Sequence, residues 1–274
     1  MKPAELLRKH GLRPKKEWGQ NFLGDERILG ELAALSGAGP GDTVVELGAG
    51  LGHFTRALSE TGASVVAVER DRELAPVLRE LALPRVEIVE ADAKSFDLRA
   101  VAARAGKRVL LCGNLPYHLS SPILFHLLDQ RTAVKRAVFL LQREVAERIE
   151  APPGGRDYGL LSVLLQHVAD AHIGLQVPRH AFTPPPDVES SALVLDLLDA
   201  PRAEVKDELR FRALVKAAFQ MRRKTLWNAL KNLPGGRDAL AASGLDPQRR
   251  GETLSVAEFA LIERNLGTPT ELSR

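Results

Sequence analysis

The chain has 274 residues, is 45% hydrophobic and 27% charged, and carries a formal net charge of +3. That length accommodates one large domain with a sizeable core plus a small one, and the composition is ordinary for a soluble globular protein. No apolar run reaches a membrane span, the polar start Met1–Glu5 lacks a signal-peptide core, and a lone Cys112 with scattered histidines offers neither a disulfide nor metal-ligand spacing. A cytoplasmic protein without metal, monomeric by default, is expected.

Lys2, Arg8, Lys9, Arg13, Lys15 and Lys16 crowd an N-terminal arm. From Asp42 onward, short β-rich runs alternate with helical patterns. The strands are expected at Thr43–Leu47, Ser64–Glu69, Arg85–Glu90, Lys107–Cys112, Val134–Leu141, His172–Val177 and Ser190–Leu197. The intervening helices place apolar residues three and four apart, as in Leu74, Val77, Leu78 and Leu81. This alternation predicts an α/β fold with a seven-stranded, mostly parallel sheet, its last two strands forming an antiparallel hairpin at one edge.

Glu46-Leu47-Gly48-Ala49-Gly50-Leu51-Gly52 joins the first strand to its helix, and its glycines let a ligand approach the backbone and the helix N-terminus. A dinucleotide fingerprint would need glycine at His53, so a dehydrogenase is disfavoured. Glu46 is a poor neighbour for a pyrophosphate and a reasonable one for a cation. Glu69 and Asp92 end the next two strands, on the edge where open α/β sheets bind ligands. There Glu69 can accept from both ribose hydroxyls and Asp92 from an adenine amino group. A ligand with adenine, ribose, no phosphate and a sulfonium fits best: S-adenosyl-L-methionine.

Gly113-Asn114-Leu115-Pro116-Tyr117 follows the fourth strand on the same edge. The Asn114 amide oxygen and the Leu115 carbonyl can accept the two hydrogens of an exocyclic amine. Pro116 turns the chain without adding a donor, and Tyr117 can stack on the base. After Asp199-Ala200-Pro201 only helical patterns remain, so the domains are expected at 1–200 and 201–274. The second of these is a small all-α domain that opens on a basic segment holding Arg222, Arg223 and Lys224.

These runs, together with Gln20-Asn21-Phe22-Leu23, Val68-Glu69-Arg70-Asp71, Glu90-Ala91-Asp92-Ala93, Ala181-Phe182-Thr183-Pro184 and Met221–Leu226, resemble the ribosomal small-subunit RNA adenine-N6,N6-dimethyltransferases over nearly the whole chain. Their relatives act on large-subunit RNA and share the catalytic motifs. A further alternative is a non-catalytic assembly factor that kept the fold. The resemblance implies a Rossmann-like class I methyltransferase fold and dimethylation of two adjacent adenosines in the 3′-terminal hairpin loop of small-subunit rRNA, late in subunit assembly. It assigns Asn21, Leu23, Gly48, Glu69, Asp92 and Asn114 to the cofactor, with Glu46, Gly50 and Ala93 beside them. It makes Phe182 a second stacking face opposite Tyr117. Lys15, Lys16, Arg222, Arg223 and Lys224 are the expected contacts to the RNA backbone on an assembling subunit.

Overall fold

The computed structural model describes residues 1–221 and 223–267. Packing divides the chain into two compact units, one of Met1–Ala146 with His172–Leu197 and one of Glu147–Ala171 with the chain from Leu198. The later segment of the second unit starts at Leu198. The unit also takes in 147–171, which the sequence reading placed in the larger domain.

The first unit is built on a seven-stranded sheet. Its strands are β2 (Thr43–Leu47), β3 (Ser64–Glu69), β4 (Val86–Glu90), β5 (Val109–Asn114), β6 (Val134–Gln142), β7 (Ala169–Val177) and β9 (Ser190–Leu197), in the order β4-β3-β2-β5-β6-β9-β7. The pairs from β4 through to β6 are parallel and β9 runs antiparallel to β6. Val44, Val45, Val65, Val66, Leu110 and Leu111 are all buried, as expected of strands covered on both faces. The chain winds from β2 outward through β3 to β4, then returns to place β5 on the other side of β2. This reversal opens a crevice at the carboxyl ends of β2 and β5. Gly113 keeps those strands together, because a Cβ there would lie 2.7 Å from the Leu47 carbonyl oxygen.

A two-stranded sheet escapes the sequence pattern: β1 (Phe22–Leu23) pairs antiparallel with β8 (Phe182–Thr183). It staples the end of the N-terminal arm to the proline-rich loop between β7 and β9. Ahead of it lie α1 (Pro3–Lys9) and a single turn at Lys16–Trp18. After it comes α2 (Glu26–Leu35), capped by Asp25, whose carboxylate accepts from the Ile28 N–H at 3.1 Å.

The second unit is helical apart from the start of β7, with α-helices at Leu160–Val168, Glu208–Gln220, Leu226–Ala229, Gly236–Ala242 and Val256–Asn265. Tyr158, Phe211 and Phe259 fill its core. Buried Glu263 accepts from the N–H groups of Lys206 and Asp207 at 2.8 and 3.1 Å, placing a carboxyl at the start of the 208–220 helix. The four-residue helix Leu226–Ala229 runs directly into a turn at Leu230–Asn232. Arg223 and Lys224 are exposed in the connection preceding it, and Arg222 lies outside the described residues.

Candidate active site

Because β2 to β5 are parallel, their loops converge on one edge and surround a cavity of about 320 Å³. From β2 come Glu46 and the glycine loop; from β3, Glu69 and Arg70; from β4, Asp92 and Ala93; from β5, the turn Asn114–Leu119. Trp18, Gln20, Asn21 and Leu23 of the arm line it as well. The structure thus brings together every residue expected to hold the cofactor.

Gly50 shows why the loop needs glycine. Its φ is +58°, and its N–H donates to Glu69 Oε2 at 2.8 Å. Glu69 Oε1 accepts from the Asp71 N–H at 2.7 Å, so this buried carboxylate ties the loops after β2 and β3 together. Burial raises the Glu69 pKa against those two bonds. Asp92 is more open: Oδ1 accepts from the Lys94 N–H at 2.9 Å, and Oδ2 lies 3.5 Å from the Arg70 guanidinium.

Glu46 is 1% exposed and accepts from the Thr55 hydroxyl at 2.5 Å. Burial pushes its carboxyl up to about 8, with the Thr55 bond opposing. The folded protein therefore keeps a proton that the unfolded chain sheds above the ordinary value of 4.5, and stability falls as pH rises from there through 8. Urea midpoints of the ligand-free protein are expected to decline relative to Glu46→Gln over that window; parallel pH profiles would remove Glu46 as the cause.

Asn114 has a fixed orientation. Its Nδ2 donates to the Asn21 carbonyl at 2.9 Å, which leaves Oδ1 as the acceptor end. Tyr117 is held by a 2.8 Å hydrogen bond between its hydroxyl and Ser190 Oγ. The Pro116 carbonyl is engaged by the Leu119 N–H at 2.8 Å within the turn. His118 faces the arm, with its ring 3.3 Å from where a Cβ on Gly19 would stand.

Two expectations are corrected. Phe182 does not line the cavity. It is 4% exposed, within the buried cluster that contains Leu23, Leu140, Val177 and Ala192, and its backbone is Leu23's partner in the β1–β8 pair. Strand pairing directs this ring into the core, where it supports the arm. Phe182→Ala is accordingly expected to cost about 3–5 kcal/mol in denaturant unfolding, the loss typical of a buried ring. An unchanged unfolding midpoint with lost activity would restore the stacking role. Lys15 is partly exposed but already paired, its ammonium 2.8 Å from Asp71 and 2.5 Å from Glu73 rather than free for phosphate. Lys16 is exposed.

Trp18 and Arg70 were missed as site residues. The Arg70 guanidinium lies 4.4 Å from the Trp18 ring centroid, which builds an aromatic-cation wall of the cavity. The legible signal was an aromatic residue set among the arm's lysines.

The profile described as ribosomal RNA adenine dimethylase matches residues 11–267. The chain belongs to that family. A ribosomal RNA small subunit methyltransferase A from Anaeromyxobacter dehalogenans (strain 2CP-C) is 54% identical to this dimethylase, covering 97% of this chain and 98% of the relative. A crystal structure of a dimethyladenosine transferase from Plasmodium falciparum superposes with a TM-score of 0.72 at 22% identity, over 88% of this chain and 95% of that one. The 23S rRNA methyltransferase ErmE follows at 0.67 and 24%, over 90% and 99%. At those identities the two structures establish the fold alone.

The dimethylase is an S-adenosylmethionine-dependent methyltransferase. The residues present fit that cofactor. Carboxyl groups stand at the ends of β2, β3 and β4, and a cation entering beside buried Glu46 would favour the ionised form that burial otherwise disfavours. No group of three or more His, Cys, Asp or Glu among the described residues could hold a metal ion, and no helix there is long and apolar enough to cross a membrane.

Proposed function

We propose that this dimethylase converts two adjacent adenosines in the 3′-terminal hairpin loop of small-subunit rRNA to N6,N6-dimethyladenosine. It would act as a cytoplasmic monomer on a late assembly intermediate. The observation that carries the reading is the Asn114 amide, pinned through Nδ2 so that Oδ1 can accept from an exocyclic amine. The choice of the small subunit rests on the 54% identical relative, since the fold is shared with an enzyme named for 23S rRNA.

The cofactor supplies an electrophilic methyl group on a sulfonium. Asn114 Oδ1 and the Leu115 carbonyl accept the two N6 hydrogens, so the nitrogen pyramidalises and its lone pair turns away from the ring. Tyr117, tethered by Ser190, takes the face of a base extruded from its stack. Asn114 and Leu115 direct the N6 lone pair in line with the methyl group of the bound cofactor, and the proton given up by the methylated N6 would pass to water. No strong base is needed before attack. After the first transfer N6 has one hydrogen fewer, so one of the two acceptors must tolerate a methyl group.

Glu46, Glu69 and Asp92 hold the cofactor's polar groups, with Asn21, Leu23, Gly48, Gly50 and Ala93 enclosing it. Exposed Lys16, Arg223 and Lys224, and Arg222 beyond the described residues, supply phosphate contacts. The test is incubation with unmethylated small and large subunits and labelled cofactor, followed by digestion of the RNA. Dimethyladenosine is expected from the small subunit; label only in the large subunit would overturn the assignment.

A further inference from the structure

Besides the β1–β8 pairing at its end, the arm over 15–23 is tied down at two points that belong to different parts of the site. At its start, Lys15 Nζ donates to both Asp71 oxygens at 2.8 and 2.9 Å. Gln20 Nε2 donates to Asp71 Oδ2 at 2.9 Å, and Gln20 Oε1 accepts from the Lys15 N–H at 2.8 Å. Residues 15 and 20 are thereby closed around one carboxylate. Between them Trp18 lies with the Lys15 ammonium 4.6 Å and the Arg70 guanidinium 4.4 Å from its ring centroid. One residue further on, the Asn21 carbonyl accepts from Asn114 Nδ2 at 2.9 Å.

Asp71 is 2% exposed and is not among the residues lining the cavity. Burial works to raise its pKa, yet the bonds from Lys15, Gln20 and the Glu73 N–H hold it below the ordinary carboxylate value. A buried carboxylate of this kind is strongly disfavoured without its cation, so it draws the arm down. Its own N–H donates to Glu69 Oε1. One residue therefore connects the ribose-side carboxylate, the arm and, through Asn21, the orientation of Asn114.

We propose that Asp71 is a positioning residue: it latches the arm across the cofactor cavity through Lys15 and Gln20, and through Asn21 it sets the Asn114 amide for the methyl acceptor. This rests on the reading of Asn114 given above for its second half only. Closure of the cofactor cavity needs no RNA.

Trp18 and Trp227 are the two tryptophans, so a Trp227→Phe background leaves Trp18 as the reporter of arm position. In that background, S-adenosylmethionine release is followed by stopped-flow fluorescence with no RNA present, and methylation of unmethylated small subunits at saturating cofactor gives kcat. Asp71→Asn keeps the shape and removes the charge. It is expected to speed release and lower kcat each by about tenfold or more, as misplaced positioning groups do. Lys15→Met should reproduce both effects, Lys15→Arg should retain near-parental values, and the double variant should be no worse than either single one. A merely structural Asp71 would lower the melting temperature while leaving release and kcat at parental values, and that result, or additive effects in the double variant, overturns the proposal. If the parent methylates neither subunit, the proposed substrate fails, while the latch stands or falls on the release rate alone.

Discussion

Asn114→Ala is expected to lower the methylation rate constant by about 10²–10³-fold at saturating cofactor, the range lost when one preorganised hydrogen-bonding group is removed from a reacting centre. The argument is one of direction. With Nδ2 committed to the Asn21 carbonyl at 2.9 Å, only Oδ1 is left to accept an N6 hydrogen, and no rotation exchanges the two ends without breaking the tie to the arm. Alanine removes the acceptor and the tie together. Asn114→Asp separates them: it keeps an acceptor oxygen but sets a carboxylate against the Asn21 carbonyl, two acceptors at hydrogen-bond distance. The Asp variant is therefore expected to be no more active than the Ala variant and to bind cofactor less well. Single-turnover assays with small subunits measure the first quantity and equilibrium titration the second. Turnover by Asn114→Ala within a few-fold of wild type would take Asn114 out of the mechanism.

What could be read from the sequence follows from how far each signal extends along the chain. The sheet was legible because its strands are short runs either largely apolar, as in Ser64–Glu69, or alternating apolar with polar, as in Ala169–Val177, while the intervening helices repeat their apolar residues every three or four positions. Once the strands are parallel, Glu46, Glu69, Asp92 and Asn114 fall on one edge by topology alone, and the structure places all four around one cavity. The Phe182 and Lys15 placements were not legible, because each depends on a partner distant in sequence. Phe182 is turned inward by pairing with Leu23 in strands of two residues, too short to show any period. Lys15 looks like an arm cation free to meet phosphate until the fold brings Asp71 against it, 56 residues away. Residues 147–171 carry apolar positions that suit either unit, so composition does not say which core they join. Folding reassigns a charge or a ring whenever a non-local partner is better than solvent, and local patterning carries no record of that competition.

Glu69 is where the second large effect is expected: Glu69→Ala should weaken cofactor binding by about 10²-fold, or about 3 kcal/mol at 1.4 kcal/mol per tenfold. Its carboxylate does two things at once. It holds the Gly50 and Asp71 N–H groups at 2.8 and 2.7 Å, which shapes the glycine loop before any ligand arrives. Each oxygen keeps a second lone pair, and those remain for the ribose hydroxyls. Alanine therefore leaves two backbone donors without their acceptor as well as removing the ligand's partner, and melting temperature should fall along with affinity. Glu69→Gln separates the two roles less completely than its shape suggests. One of its terminal atoms becomes an NH2 facing a backbone N–H, so either the Gly50 or the Asp71 bond is lost whichever way the amide turns. Its affinity should lie between those of Ala and wild type, and calorimetric titration with S-adenosylmethionine resolves the three. A dissociation constant for Glu69→Ala within about threefold of wild type, under half a tenfold step and so below about 0.7 kcal/mol, would mean that the cofactor is held from the arm and the Asn114 turn, with Glu69 serving only to fold the loop.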